Sequence, residues 1–322
     1  MNKSNDHSRI QAGGPRLSET VFERVRDISR ERPDAPALIH KRRGRWTVLR
    51  WADAFHTLEK LRARLQALGL GSGARVAVSG AYEPDLLLFA LAASSAGAAI
   101  TPVARDLHGE ELRHLFGEAL PTHAFVAHRG DIAHWVSIAD ARGAKRWLVA
   151  RQTPSYRADP WEVVSLDDLL GETHGSVDAG NITRYLRKQR TIWVDEGTEW
   201  QDGLSIIVSG WLSDATAIAF PETAGSATRD RKTIQPTSIL CSEARRQLLE
   251  NEIEARLPAG RSWRRRIYSL SESEEAGPFG RLVGARVHKI FGLSRISSRK
   301  VREENPGLFK PQALPGSAGA GQ

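Results

Sequence analysis

Short β-type runs alternate with helical runs through the first half of the chain, and this alternation constrains the fold more than any other feature. Leu58, Leu61 and Leu65 recur at helical spacing, for example, and the compact apolar strand pattern RVAVSG follows from Arg75. Strands that alternate with helices in this way favour a parallel sheet covered by helices. We therefore expect an α/β fold with a mostly parallel sheet and flanking helices.

Most of the chain can be assigned to individual elements. The predicted helices are 18–31, 54–68, 84–95, 110–117, 132–141 and 243–257, with two further basic helices at 263–270 and 279–291. The predicted strands are 37–40, 45–51, 75–80, 98–102, 123–127, 146–149, 217–220 and 238–241. Between 151 and 190 the hydrophobic periodicity is too weak to place an element.

These assignments divide the chain into five segments. We expect a disordered leader at 1–16, a first α/β subdomain at 17–150, an irregular connector at 151–202, a second partial α/β segment at 203–302 and a disordered tail at 303–322.

Composition excludes several classes of protein. A chain of 322 residues with 40% hydrophobic residues can bury a core, and its single cysteine excludes a disulfide scaffold. The start has no apolar signal segment, and the uncharged run 86–104 is interrupted by small residues and Pro102, which favours a helix and a strand over a membrane span. We expect a cytoplasmic protein, with peripheral contact to a membrane as the alternative.

The net charge of +8 is carried mainly by arginine and gathers in three clusters. The clusters are Lys41, Arg42, Arg43 and Arg45; Arg264, Arg265 and Arg266 beside Trp263; and Arg295, Arg299, Lys300 and Arg302. A basic run either is solvated or binds phosphates or anionic lipid head groups. No zinc-finger spacing, RNA-binding aromatic motif or basic zipper accompanies them, so we expect no nucleic-acid partner.

Two blocks of sequence carry a more specific signal. The first runs from Thr20 to Phe116, and its landmarks are Pro33-Asp34, Trp46-Thr47, the segment LQALGLGSGARVAV, Pro84, Ala96-Gly97-Ala98, Pro102 and Glu111-Leu112. The second runs from Ala217 to Leu270 and contains FPE, IQPT and WRRRIY, with RLVGARVHKIFGLSRI following. Together they resemble the adenylate-forming acyl-CoA synthetases, in particular a truncated and degenerate long-chain member.

The resemblance implies the N-terminal domain of the adenylate-forming fold and a carboxylate-activating reaction. In that reaction ATP and a fatty acid give an acyl-adenylate and pyrophosphate, and coenzyme A then takes the acyl group. It implies ATP, Mg²⁺ and coenzyme A as the family's cofactors.

The family's phosphate loop is the main departure. Family members carry a Ser/Thr/Gly-rich loop ending in Pro-Lys-Gly between the two blocks, where this chain has NITRYLRKQRTIWVDEGTEWQDGLSIIVSG. The segment TAGSATRDRK at 223–232 imitates its composition, but we expect it to be an ordinary strand-to-helix connection. The sequence also ends before the family's Tyr-Gly-x-Thr-Glu segment and lysine domain, so no catalytic or nucleotide-binding residue is carried over and no cofactor is expected; the substrate-binding residues stay unknown.

Three other groups of polar residues are candidate sites. The five histidines His108, His114, His123, His128 and His134 match no zinc spacing, so we expect surface or core histidines and no metal. The acidic turn, residues 195–202, carries Asp195, Glu196, Glu199 and Asp202 beside Trp193 and Trp200; it could hold a cation or act as paired carboxylates, but we expect a solvated loop in place of the phosphate loop. The sequence indicates no general base that would activate the thiol of Cys241 as a nucleophile, so we interpret Cys241 as a small core residue.

Two main hypotheses follow. The first is a catalytically inactive protein that retains the synthetase scaffold and binds an acyl ligand, fatty acid or acyl-CoA, or another protein. The second is a fatty acyl-CoA ligase completed by a partner chain or by non-standard residues at 195–202. A weaker third hypothesis is a basic protein associated with an anionic membrane or with nucleic acid.

Overall fold

The computed structural model describes residues 19–116, 120–138, 146–151, 161–171, 176–178, 182, 186, 189–255, 292 and 295. The helices within them are α1 (Glu19–Glu31), α2 (Trp51–Ala67), α3 (Pro84–Ser95), α4 (Gly109–Phe116), α5 (Ile132–Ile138), α6 (Leu166–Leu170), α7 (Gly203–Ser213), α8 (Ala227–Ile234) and α9 (Glu243–Ala255). The strands are β1 (Pro36–Arg42), β2 (Arg45–Arg50), β3 (Arg75–Ser79), β4 (Ala99–Pro102), β5 (His123–Val126), β6 (Arg146–Ala150), β7 (Trp161–Ser165), β8 (Ser176–Asp178), β9 (Thr191–Trp193), β10 (Ala217–Phe220) and β11 (Ser238–Ile239).

The first sheet is five-stranded and parallel throughout, in the order β4-β3-β5-β6-β7. Its central strands are apolar on both faces, as is typical of a parallel sheet covered by helices. The mostly parallel α/β architecture predicted from the alternation is confirmed.

The second sheet is six-stranded and mixed, in the order β11-β9-β10-β1-β2-β8. Strands β11, β9, β10 and β1 are parallel, whereas β2 pairs antiparallel with both β1 and β8. Arg43 and Gly44 both have positive φ, at 49° and 77°, which is the backbone of the tight hairpin that joins β1 to β2.

Helix α3 and two tryptophans tie the two sheets together. Ten of the twelve residues of α3 are buried, in a core that includes side chains from both sheets. Trp51 of α2 stacks on Trp211 of α7 with ring centroids 4.6 Å apart, and the Trp211 indole N–H donates to the Ala37 carbonyl at 3.1 Å. Helix α7 is therefore anchored in the core, and so is the end of the turn that precedes it.

The interval 151–202 departs from the sequence prediction of an irregular connector. Its described residues contain β7, α6, β8 and β9, so that prediction is wrong for this part of the chain. The missed strand β7 has only five residues, too few for a clear period, and it is stabilised by pairing along its whole length with β6. The five-segment division itself stays a prediction.

Several sequence predictions fall on residues that the structure does not describe. These are the leader 1–16, the basic helices 263–270 and 279–291, the tail 303–322, the arginines 264–266, and every basic residue of the 295–302 cluster except Arg295. In the part of the chain that is described, no helix is both long enough and apolar enough to cross a membrane.

Candidate functional site

The acidic turn connects β9 to α7 at the carboxyl edge of the second sheet. Strand β9 runs parallel to both of its neighbours, β10 and β11, so the ends of all three strands lie at this edge. Ligands of α/β proteins bind at the carboxyl ends of parallel strands, and a strand-turn-helix connection places a helix N-terminus there. The acidic turn is therefore the candidate functional site.

Backbone hydrogen bonds attach the acidic turn to the first sheet. Thr198 donates its amide to the Gly80 carbonyl at 2.9 Å, and the Thr198 hydroxyl accepts from the Gly80 amide at 3.1 Å. The same hydroxyl donates to the Val103 carbonyl at 2.5 Å, and the Tyr82 amide donates to the Glu196 carbonyl at 2.9 Å. The turn thus joins the carboxyl ends of β3 and β4 to that of β9.

Gly197 permits this close approach. A Cβ atom at this position would lie 2.6 Å from the Gly80 carbonyl oxygen and 3.1 Å from the Ala81 Cα atom. The 2.6 Å contact is too short for any side chain, because the oxygen belongs to the backbone and cannot turn away. Glycine is the residue that fits here.

Asp195 is the most deeply buried carboxylate of the turn. Its side chain is fully buried and accepts hydrogen bonds from Arg245 at 2.8 and 3.1 Å and from Arg231 at 3.5 Å. Burial alone would raise the pKa of Asp195, but the hydrogen bonds and charge of Arg245, together with the charge of Arg231, outweigh burial and lower it. Asp195 is therefore an ionised group whose charge is neutralised inside the protein.

Glu196 is held by the start of α9. Its two carboxylate oxygens accept from the Ser242 amide at 2.6 Å and from the Ser242 hydroxyl at 2.5 Å, and that hydroxyl accepts from the Arg245 amide at 3.1 Å. Burial raises the pKa of Glu196, and the Ser242 hydrogen bonds offset only part of that rise. The side chain completes a helix cap and has no oxygen left without a partner.

The remaining two carboxylates are more exposed. Glu199 forms a two-point ion pair with Arg105 at 2.8 and 3.2 Å and also accepts from the Gly197 amide at 3.1 Å. Asp202 is exposed and directly precedes the first residue of α7. The expectation of a solvated loop is therefore wrong, because three of the four carboxylates have partners within the protein. Arginines distant in sequence pair with Asp195 and Glu199, and Ser242 holds Glu196.

The two tryptophans beside the turn differ in role. Trp193 is fully buried in the second sheet, whereas the Trp200 ring lies edge-on to the Tyr82 ring at a centroid distance of 6.4 Å. The Tyr82 hydroxyl donates to the Trp200 carbonyl at 2.8 Å, and burial raises the pKa of Tyr82. These contacts hold the turn closed over the end of β3.

A second charged cluster at the carboxyl edge was not singled out from the sequence. Arg151, after β6, pairs with Glu83 at 2.5 Å and with Asp85 at 2.7 Å, and Glu83 lies 3.6 Å from the His40 ring. Burial lowers the pKa of His40 to about 4 and raises that of Glu83, the latter against the opposing charge of Arg151. The sequence signal that could have identified this cluster is the position of its residues, because Glu83 and Arg151 each follow a predicted strand.

The five histidines do not converge on one point. His123 is buried and donates to the Leu68 carbonyl at 3.3 Å, while His114 and His128 are exposed. His108 and His134 lie beside each other, with ring centroids 5.2 Å apart. Among the described residues, no three or more histidine, cysteine or acidic side chains are grouped as metal ligands.

The segment 223–232 and Cys241 have structural surroundings. The segment forms a one-turn 3₁₀ helix, Ala224–Ser226, followed by α8, which confirms the strand-to-helix connection; Asp230 in it accepts from Lys41 at 2.6 Å and from Ser226 at 2.5 Å. Burial raises the pKa of Cys241 to about 12, so its thiol stays protonated and unreactive.

The part of the chain that resembles a known family contains all five strands of the first sheet and three of the six strands of the second. Residues 25–179 match the family model of the AMP-binding enzymes. This part of the chain is similar to the AMP-binding enzymes. The matched segment ends before β9, so the acidic turn lies outside it. No significant relative is found among curated protein sequences.

Solved structures of adenylate-forming enzymes share the fold over a longer range. The carboxylic acid reductase didomain from Segniliparus rugosus, solved with AMP, is 11% identical at a TM-score of 0.60, covering 89% of this chain and 48% of its own. Acetoacetyl-CoA synthetase from Streptomyces lividans is 18% identical at 0.53, covering 73% and 44%. A protein described as a long-chain-fatty-acid CoA ligase, from Rhodopseudomonas palustris, is 15% identical at 0.54, covering 71% and 65%.

These likenesses establish the fold. The chain has the architecture of the N-terminal part of the adenylate-forming enzymes, and it spans about half the length of the first structures it matches. The recognition made from the two sequence blocks is confirmed at the level of the family.

Proposed function

We propose that this chain is an AMP-binding-type scaffold that neither binds the triphosphate of ATP nor activates a carboxylate by itself. It serves instead to bind an acyl ligand, a fatty acid or acyl-CoA, or another protein. The observation that carries this proposal is the charge and hydrogen bonding of the acidic turn.

A phosphate site at a strand-turn-helix connection needs free backbone amides and a positive or neutral environment. Here the amides of Gly197 and Thr198 donate to Glu199 and Gly80, at 3.1 and 2.9 Å. Two unit charges of like sign about 4 Å apart repel by about 1 kcal/mol in water and about 4 kcal/mol near a protein surface. A polyphosphate approaching the exposed carboxylate of Asp202 would meet this repulsion, and it would gain no compensating hydrogen bonds from the amides of Gly197 and Thr198.

Without a triphosphate site, the reaction has little else to rely on. Phosphoryl and nucleotidyl chemistry depends on positioning and charge stabilisation. The acidic turn does not provide them, because its arginine neighbours are already paired with Asp195 and Glu199. We therefore propose that the chain uses none of the family's cofactors, ATP, Mg²⁺ or coenzyme A, in a reaction of its own. We also propose that it resides in the cytoplasm.

The proposal of an acyl ligand is supported by the names of solved structures that share the fold. One of the solved relatives is described as a long-chain-fatty-acid CoA ligase and another as an acetoacetyl-CoA synthetase. These names belong to those proteins, and they define the ligands to test first on this one.

The test is isothermal titration of the purified full chain with Mg-ATP, and separately with a long-chain fatty acid and its acyl-CoA. We expect no saturable ATP binding and saturable binding of an acyl ligand. Saturable ATP binding would overturn the proposal, and binding of neither ligand would leave protein binding as the function to pursue.

A second candidate is the ligase reaction itself, carried out with residues 195–202 in place of the usual loop. It is favoured by the position of the acidic turn, which follows a parallel strand and precedes a helix. It predicts AMP formation that depends on both ATP and a fatty acid, so a discontinuous assay of AMP over the same concentrations distinguishes the two candidates.

A further inference from the structure

Two exposed histidines that are far apart in the sequence lie side by side in the structure. His108 immediately precedes α4, and His134 is on α5. The two helices pack together, with Arg113 of α4 donating to the Ser137 carbonyl of α5 at 3.1 Å. The centroids of the two imidazole rings are 5.2 Å apart.

The tautomer of His108 is fixed by a backbone contact. Its Nδ1 atom lies 2.6 Å from the Asp106 carbonyl oxygen, and a carbonyl oxygen can only accept. Nδ1 therefore carries the proton in the neutral ring, and Nε2 has the lone pair. This arrangement is the one that metal-ligating histidines adopt, since they donate the other ring N–H to a carboxylate or a backbone carbonyl.

The separation of the rings agrees with shared coordination. A tetrahedral zinc ion holds imidazole nitrogens at about 2.0–2.1 Å, which places the centroids of two such rings about 5 Å apart. The observed centroid separation of 5.2 Å agrees with this value. Within the described residues the His134 ring makes no hydrogen bond that would have to be broken.

We propose that His108 and His134 together bind one divalent transition-metal ion of the zinc class, with water completing the coordination. Imidazole nitrogen is a preferred ligand for zinc, copper and nickel, whereas Mg²⁺ prefers oxygen, so this is not a site for a nucleotide-bound magnesium ion. The site has two protein ligands among the described residues, and it takes no residue from the acidic turn. The ion would connect the segment after β4 to α5.

The probe is Zn²⁺ itself, titrated calorimetrically into the full chain after removal of metal with a chelator. We expect one site, and we expect His108→Ala and His134→Ala each to weaken Zn²⁺ binding by about 10-fold or more, since even the loss of an outer partner costs 10–100-fold. Metal binding by imidazole requires the unprotonated ring, so affinity falls at acidic pH.

His114→Ala and His128→Ala are the matched controls, because both histidines are exposed and lie in the same region. We expect them to bind Zn²⁺ as the unchanged chain does. All four positions are on the surface, so circular dichroism should show a folded protein in each case. Zn²⁺ binding that is unchanged in both His108→Ala and His134→Ala, or lost equally in the controls, would overturn the proposal, as would the absence of saturable binding to the unchanged chain.

Discussion

Replacing Asp195 by asparagine removes one charge from the centre of the acidic turn and keeps the size of the side chain. Asp195 and Arg231 are both fully buried, and Arg245, the other partner, has 18% of its side chain exposed. The substitution thus removes the carboxylate opposite two arginines, one of which has no contact with solvent.

The expected cost follows from this burial. Breaking a buried ion pair by removing one partner costs about 3–5 kcal/mol, because the other charge stays buried. Arg245 also pairs with Glu252, at 3.5 Å, and can reach solvent, so Arg231 accounts for most of the penalty. We expect Asp195→Asn to lower the free energy of unfolding by about 3 kcal/mol, a large part of the 5–15 kcal/mol typical of a folded domain.

Urea denaturation at pH 7, followed by fluorescence, measures this difference. With a slope of about 3 kcal/mol per molar urea, the midpoint should fall by about 1 M. The control is Glu199→Gln, which breaks an ion pair whose members are 43% and 40% exposed, and which we expect to cost about 0–1 kcal/mol. Equal midpoints for the two variants would refute the assignment of Asp195 as a buried structural charge.

The same comparison has a defined pH dependence. Because the pKa of Asp195 is lowered in the folded protein, its contribution is complete above the ordinary aspartate pKa of about 3.9 and is lost as the pH falls through the folded value. The difference between the unchanged chain and Asp195→Asn should therefore be constant from pH 7 to pH 5 and shrink below pH 4.

Three further substitutions test the surrounding structure. Thr198→Val removes a buried hydroxyl from two backbone partners and should cost about 1–3 kcal/mol in urea denaturation, whereas Thr198→Ser should cost less; equal losses would contradict a role for the hydroxyl. Burial lowers the pKa of His40 from 6.5 to about 4, so the unfolded chain takes up a proton at a higher pH than the folded chain. Between pH 6.5 and pH 4 the free energy of unfolding should therefore fall by up to about 3 kcal/mol more in the unchanged chain than in His40→Gln. Parallel pH profiles for the two proteins would contradict the burial of His40 as a neutral ring. The double variant Glu199→Gln/Asp202→Asn should stay folded and still not bind Mg-ATP in calorimetry, since the amide of Thr198 remains committed to Gly80; saturable ATP binding would show that charge alone excludes the nucleotide.

The sheet strands and the main helices could be predicted from the sequence because their signals are local. Helix α3, predicted at 84–95, has those bounds, since Pro84 sets its start and its apolar residues are buried in the core between the sheets. The compact run at β3 likewise predicted a buried parallel strand. Each of these patterns is contained within a few turns or residues of the chain.

The arrangement of the candidate site could not be predicted in the same way, because its contacts are distant in sequence. Asp195 is paired with residues 36 and 50 positions away, so its burial is not visible in the local composition of an acidic turn. The division of the strands between two sheets also depends on which strands pair with one another, and the local hydrophobic pattern of a strand does not show its partner. The contact between His108 and His134 likewise depends on the packing of α4 against α5, which the sequence does not show.

The charges of the acidic turn have a structural consequence that bears on its function. Asp195 fixes α8 and α9 through Arg231 and Arg245, and Glu196 caps α9 through Ser242. A turn that carries these ion pairs also joins the two sheets through Thr198. Conversion of this turn to a phosphate-binding loop would therefore have to replace the contacts of two helices and a sheet junction, so single substitutions toward lysine or serine at Asp195 should destabilise the protein before they can create a nucleotide site.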